Sequence, residues 1–91
     1  MQKTRDSIAA HKVSIQKFWP ENENGEPVSV TSVYRQIEYT RVRLNRHTLT
    51  KARDGELDHA HITNIKKLAL LCSDWADMVV SIDEIIVRKR S

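Results

Sequence analysis

An all-α fold of five short helices in a single domain is expected from three observations. The composition leans helical: 91 residues contain only two Gly and two Pro, with abundant Leu, Ile, Lys, Arg and Glu. A basic segment from Asn45 to Asp54 carries its own start and stop signals. A clear amphipathic repeat runs from about His61 to Trp75. One signal competes. Lys12 to Lys17, KVSIQK, alternates like a strand, and its natural partner is the late run Ile85 to Arg88. A short two-stranded pairing of the terminal segments is therefore compatible with the helical frame.

The first helix is read from about Thr4 to Phe18. Ile8, Ile15 and Trp19 recur at helical spacing there, and Asp6 and Ser7 can cap it. Pro20 to Pro27, PENENGEP, is a loop, since two Pro, two Asn and one Gly fall within it. Its three Glu make it a poor surface for a polyanion. Thr31 or Ser32 caps the second helix, which runs to about Arg41. Val33 and Ile37 share its inner face, and Tyr34 flanks it. Val42 and Leu44 bracket a tight turn into the third helix.

That third helix organises the chain. Asn45 can accept a bond from a free first-turn N–H and so cap it. Gly55 stands where a left-handed residue would end it. Leu44, Leu49 and Ala52 form a small apolar seat, while Arg46, His47, Thr50, Lys51 and Arg53 point mostly elsewhere. Helix, turn and basic helix make a helix-turn-helix unit with the second helix as reader. After ELDHAH comes the fourth helix. Ile62, Ile65, Leu68, Ala69 and Cys72 mark its buried stripe, extended by Leu71 and Trp75, with Lys66 and Lys67 outside. Ser81 caps a last short helix, IDEII, whose first turn carries Asp83 and Glu84. The end, RKRS, is a basic tail.

The formal net charge is only +3, so the placement of charge matters more than its total. From Arg35 to Arg53 six cations (Arg35, Arg41, Arg43, Arg46, Lys51, Arg53) face one anion, Glu38. Such a stripe favours a polyanionic partner, although a basic stretch taken by itself is more often a solvated face. Cys72 is the single cysteine, which excludes an intramolecular disulfide and reads as a small buried hydrophobe. There is no apolar run of membrane-spanning length and no signal-peptide pattern, so a cytoplasmic protein with no membrane partner is expected.

The run from Ser32 to Val87 resembles the lambda-repressor-like, or XRE, helix-turn-helix family of DNA-binding proteins. The matching pieces are NRHTLTKARDGE, then ITNIKKLALL, then VSIDEII, with an extra segment, SDWADMV, before the last. The resemblance implies a five-helix lambda-repressor-like domain that binds double-stranded DNA, with residues 31–55 as the helix-turn-helix. Carried over residue by residue, the base-reading positions are Arg46, His47, Thr50 and Lys51. Arg46 would grip guanine O6 and N7, and Thr50 would meet a thymine methyl. Arg41, Arg43 and Arg53 become phosphate contacts, with Asn45, Thr48 and the backbone at Gly55 beside them. One such unit reads few base pairs, so a homodimer on a two-fold operator is implied.

Other chemistry is poorly supported. His59 and His61, with His47 or Cys72, do not complete a tetrahedral metal set, and a polar connection explains them better. No nucleophile elbow or phosphate loop is present, so neither an enzyme nor a cofactor is expected. Tyr34 and Tyr39 are expected at the core edge, and Trp19 and Trp75 in packing. The expectation is thus a DNA-binding transcriptional repressor. A protein-interaction module on the same fold, an antitoxin or accessory subunit with its own protein partner, is the alternative. RNA binding is a third reading that changes only the substrate.

Overall fold

In the computed structural model, which describes residues 11–58 and 60–88, the alternation of Lys12–Lys17 prevails over the helical spacing around it. His11–Val13 forms strand β1. Val13 and Ile15 are buried, Ser14 between them is half-buried and Gln16 is exposed, which is the two-residue period of a strand. A single turn of 3-10 helix, Gln16–Phe18, follows. Strand β1 is the centre of a three-stranded antiparallel sheet. It is flanked by β2, Leu57–Asp58, and β3, Ile86–Arg88. Val13 stands opposite Leu57 on one side and Ile86 on the other.

The described residues add four helices: α1 Val30–Ile37, α2 Arg46–Arg53, α3 Ile62–Ala76 and α4 Ile82–Ile85. The chain is therefore a small mixed α/β fold, and the all-α five-helix expectation is overturned. The part of the first helix placed on residues 4–10 lies outside the described residues. Residues 11–13 are strand and 16–18 a 3-10 turn, because extended backbone at Lys12 and Val13 gains ladder partners on both sides while keeping Val13 inward. The pairing of the two terminal runs expected from their alternation is present as β1 with β3. The third strand, β2, has no counterpart in the sequence reading. A two-residue strand carries no readable period.

The helices follow their local signals closely, with one shift. Helix α1 is capped one turn earlier than expected. The Ser29 side chain, not that of Thr31 or Ser32, accepts from the Ser32 N–H at 3.1 Å. It also ends at Ile37, short of Arg41. The Thr40 N–H and hydroxyl both donate to the Ile37 carbonyl, at 3.0 and 2.8 Å, and close the last turn. Residues 38–45 then form the connection to α2, pinned inward by buried Val42 and Leu44. Helix α2 starts at the Asn45 cap as expected, with the Asn45 side chain accepting from the Thr48 N–H at 2.7 Å. It stops at Gly55, whose φ is +74°. Gly55 N–H donates to the Ala52 carbonyl and Glu56 N–H to that of Lys51, the paired bonds of a Schellman motif. Helix α3 buries Ile65, Leu68, Ala69, Leu71 and Cys72, with Ile62 and Trp75 packed at its edge. Its C-cap Asp77 is left-handed, with φ +56°. Helix α4 has Glu84 accepting from the Ser81 N–H at 2.9 Å, then runs directly into β3.

One core joins sheet and helices: Val13, Ile15, Val33, Leu49, Ile65, Leu68, Cys72 and Ile85 are all fully enclosed. Beside it, the rings of Trp19 and Trp75 meet edge to face at 5.3 Å. Trp19 Nε1–H donates to the Val28 carbonyl at 2.6 Å, which closes the base of the 20–27 loop. That loop is a turn stapled by Asn22, whose side chain accepts from the Asn24 and Glu26 N–H groups. The chain just after β1 also ties down α2 directly, because Ile15 N–H donates to the Ala52 carbonyl at 3.0 Å. Among the described residues no helix is long and apolar enough to cross a membrane. The RKRS tail lies beyond β3 and, apart from Arg88, outside the described residues.

Candidate nucleic-acid interface

Helix α2 sits on its apolar seat as its spacing requires. Leu49 and Ala52 are buried, and Leu44 is buried just before the cap. Helices α1 and α2 pack on each other. What this seat turns outward is cationic. Arg46, His47 and Lys51 are exposed on α2, and Arg41 and Arg43 are exposed on the connection before it.

Among the described residues these cations find no carboxylate partner. Among the described residues the ion pairs are Lys12 with Glu56 at 3.1 Å and Arg53 with Asp54 at 3.0 Å. Neither involves Arg41, Arg43, Arg46 or Lys51. A surface whose positive groups lack internal partners projects its field into solvent, where a polyanion can answer it.

Arg46 is held in place. Its guanidinium donates to the Thr31 hydroxyl at 2.7 Å and lies 5.9 Å from the centre of the Tyr34 ring. Both partners come from α1, so the first turns of α1 and α2 meet at this one side chain. A planar fork fixed this way loses less rotamer entropy when it grips a base or a phosphate. Sequence order gives no hint of the contact, since Thr31 and Arg46 stand fifteen residues apart. Lys67 was also read only as an outward charge. Its ammonium donates to the Arg43 carbonyl at 3.0 Å and braces the chain entering α2.

The remaining named residues divide sharply. Asn45 uses its side chain as the helix cap. Thr48 is buried, at 8% exposure, and cannot present its hydroxyl to a large ligand. Thr50 is half-buried and donates to the Arg46 carbonyl at 2.9 Å, which leaves its methyl as the group able to contact a partner. The Gly55 N–H is engaged in the C-cap, as is that of Asp54, which donates to the Thr50 carbonyl at 3.1 Å. Arg53 turns away from the others. It pairs with Asp54, lies 5.9 Å from the Trp19 ring centre, and lines a cavity of about 250 Å³ together with Trp19 and Glu21. Arg41, Arg43, Arg46, His47 and Lys51 therefore form the accessible set.

Tyr39 differs from its expected place. It is 91% exposed, on the connection that also carries Arg41 and Arg43. Its position follows from the early end of α1, which leaves Tyr39 beyond the last helical turn. For the histidines, His61 Nδ1 accepts from the Thr63 N–H at 3.2 Å and caps α3, while His59 lies outside the described residues. Comparison with protein-family models, with curated proteins and with solved structures gives no match.

Proposed function

We propose that this protein binds double-stranded DNA sequence-specifically and regulates transcription as a repressor, with α2 lying in the major groove. One observation carries the reading. Arg46 is fixed at the meeting point of α1 and α2, on a helix whose other outward groups are a second cation, Lys51, and the imidazole of His47. In this arrangement Arg46, His47, the Thr50 methyl and Lys51 read base edges. Arg41 and Arg43 grip phosphates and set the register. Arg41, Arg43, His47 and Lys51 already stand in solvent, and Arg46 approaches the bases from its bond to the Thr31 hydroxyl. A single α2 covers only a few base pairs, so the working form on an operator is a homodimer.

The test is fluorescence anisotropy on random and genomic duplexes across a salt series. Affinity should fall steeply with salt, and a selected subset of sequences should stay bound where random duplex is released. The Arg46→Ala/Lys51→Ala variant should keep its helical signal and lose that preference. The Arg46 part is worth about 1–3 kcal/mol of base discrimination. Unchanged affinity in the folded double variant, or no duplex binding even at low salt, would overturn the reading. Stronger competition by structured RNA than by duplex DNA would redirect it to RNA.

A further inference from the structure

Helix α3 carries an outward ridge opposite its buried stripe: Thr63, Lys66, Leu70, Asp74 and, just past the end, Asp77, all exposed. At its centre Leu70 is 52% exposed. A shallow groove lies beside it, lined by Ala69, Leu70, Val79, Val80 and Ile82, with Lys66 at its rim. Val79 in that groove is 85% exposed, and the neighbouring Met78 is 64% exposed. Leu70 and Val79, two large apolar side chains left in water along one groove, with exposed Met78 next in the chain, mark a surface that is meant to be covered.

The charges on the ridge specify the cover. Lys66 precedes Leu70 by four residues and Asp74 follows it by four, so each lies about 6 Å along the helix from Leu70 in opposite directions. Among the described residues neither forms an ion pair. The ridge is thus its own complement under a two-fold axis through Leu70. Two antiparallel α3 helices would place Leu70 on Leu70 and Lys66 against Asp74 of the second copy, twice. Thr63 would fall opposite Asp77, a hydroxyl against a carboxylate. Parallel pairing would instead set like charges together. Isologous interfaces require this self-complementarity, and a foreign partner does not.

We infer that the α3 ridge centred on Leu70, with Val79 and Met78 beside it, is a homodimer surface on which a second copy of this chain docks antiparallel. The surface uses none of the residues assigned to DNA and stands whether or not that assignment holds. The SDWADMV segment supplies part of this surface, since Asp74 lies in the last turn of α3 and Asp77, Met78 and Val79 follow its end.

The test needs only the free full-length protein. Sedimentation equilibrium should show a reversible monomer–dimer equilibrium. Leu70→Asp sets two carboxylates face to face on the axis and should weaken it about tenfold or more, with the helical signal retained because the site is exposed. Lys66→Glu and Asp74→Lys should each weaken the dimer, since each puts like charges across the axis. The double variant Lys66→Glu/Asp74→Lys should restore it, which a merely structural effect of either change would not do. A monomer at every concentration would overturn the inference. A dimer indifferent to Leu70→Asp, or single charge changes that the double variant fails to rescue, would overturn it too.

Discussion

At Cys72 the sequence, the packing and the chemistry meet in one side chain. It sits on the buried stripe of α3 with no exposed surface, and burial pushes its thiol from an ordinary 9.0 up to about 12. A thiol that stays protonated at neutral pH is a poor nucleophile, so alkylation of the folded protein should be slow and limited by opening of the structure. The same shift makes stability depend on pH. The unfolded chain releases this proton near its ordinary value, whereas the folded chain holds it until about pH 12. Between those values the unfolded state binds fewer protons. The contribution is therefore complete below the ordinary value and is lost as pH rises through the window. Urea titrations of wild type and Cys72→Ala across alkaline pH should show the wild type losing stability faster, although the variant starts lower because of its small cavity. Parallel curves would mean that the thiol is not the source.

At the scale of single elements, the end of α2 is the place where one residue type is demanded. Gly55 combines φ +74° with a close neighbour, since a Cβ there would lie 3.3 Å from the Ser14 Oγ on the strand β1 side. Gly55→Ala should cost about 1–2 kcal/mol for the backbone alone. Adding Ser14→Ala should return only the part due to that contact, as read from paired thermal or urea melts; full rescue would show that the left-handed backbone carries no cost. This helix was legible from the sequence because Asn45, Leu49, Ala52 and Gly55 are all local signals. Helix α3 was legible for the same reason, through a long run of one period. The beginning of the chain was not. Ile15 and Trp19 fit a helix face as well as Val13 and Ile15 fit a strand, and the choice rests on β2 and β3, far away in sequence. The site divides in the same way. The outward position of Arg46, His47 and Lys51 follows from helix phase. The Thr31 brace and the withdrawal of Arg53 to Trp19 are contacts between elements, and no local pattern encodes them.

Over the whole molecule the charge is sorted rather than large. Among the described residues Arg41, Arg43, Arg46 and Lys51, none of them in an ion pair, stand on α2 and the connection before it, while Glu21, Glu23 and Glu26 lie on the loop that Asn22 staples. Arg53 belongs to the second region despite its place in α2, because it pairs with Asp54 and shares a cavity with Glu21. A phosphate approaching α2 would meet Arg41 and Arg43 with their full charge. At Arg53 it would meet a pair that is already neutral and an acidic loop beyond it. On the proposed DNA reading this separates three arginines that composition alone treats alike. Each phosphate contact contributes about 0.9 to the slope of log affinity against log salt. Arg41→Ala and Arg43→Ala should therefore each reduce the slope by about 0.9, with little change in sequence preference. Arg53→Ala should leave the slope where it was. A slope lowered equally by all three would mean that Arg53 leaves Asp54 when DNA binds. The interface would then extend over the C-terminal end of α2 toward Trp19, and the acidic loop would have to move aside.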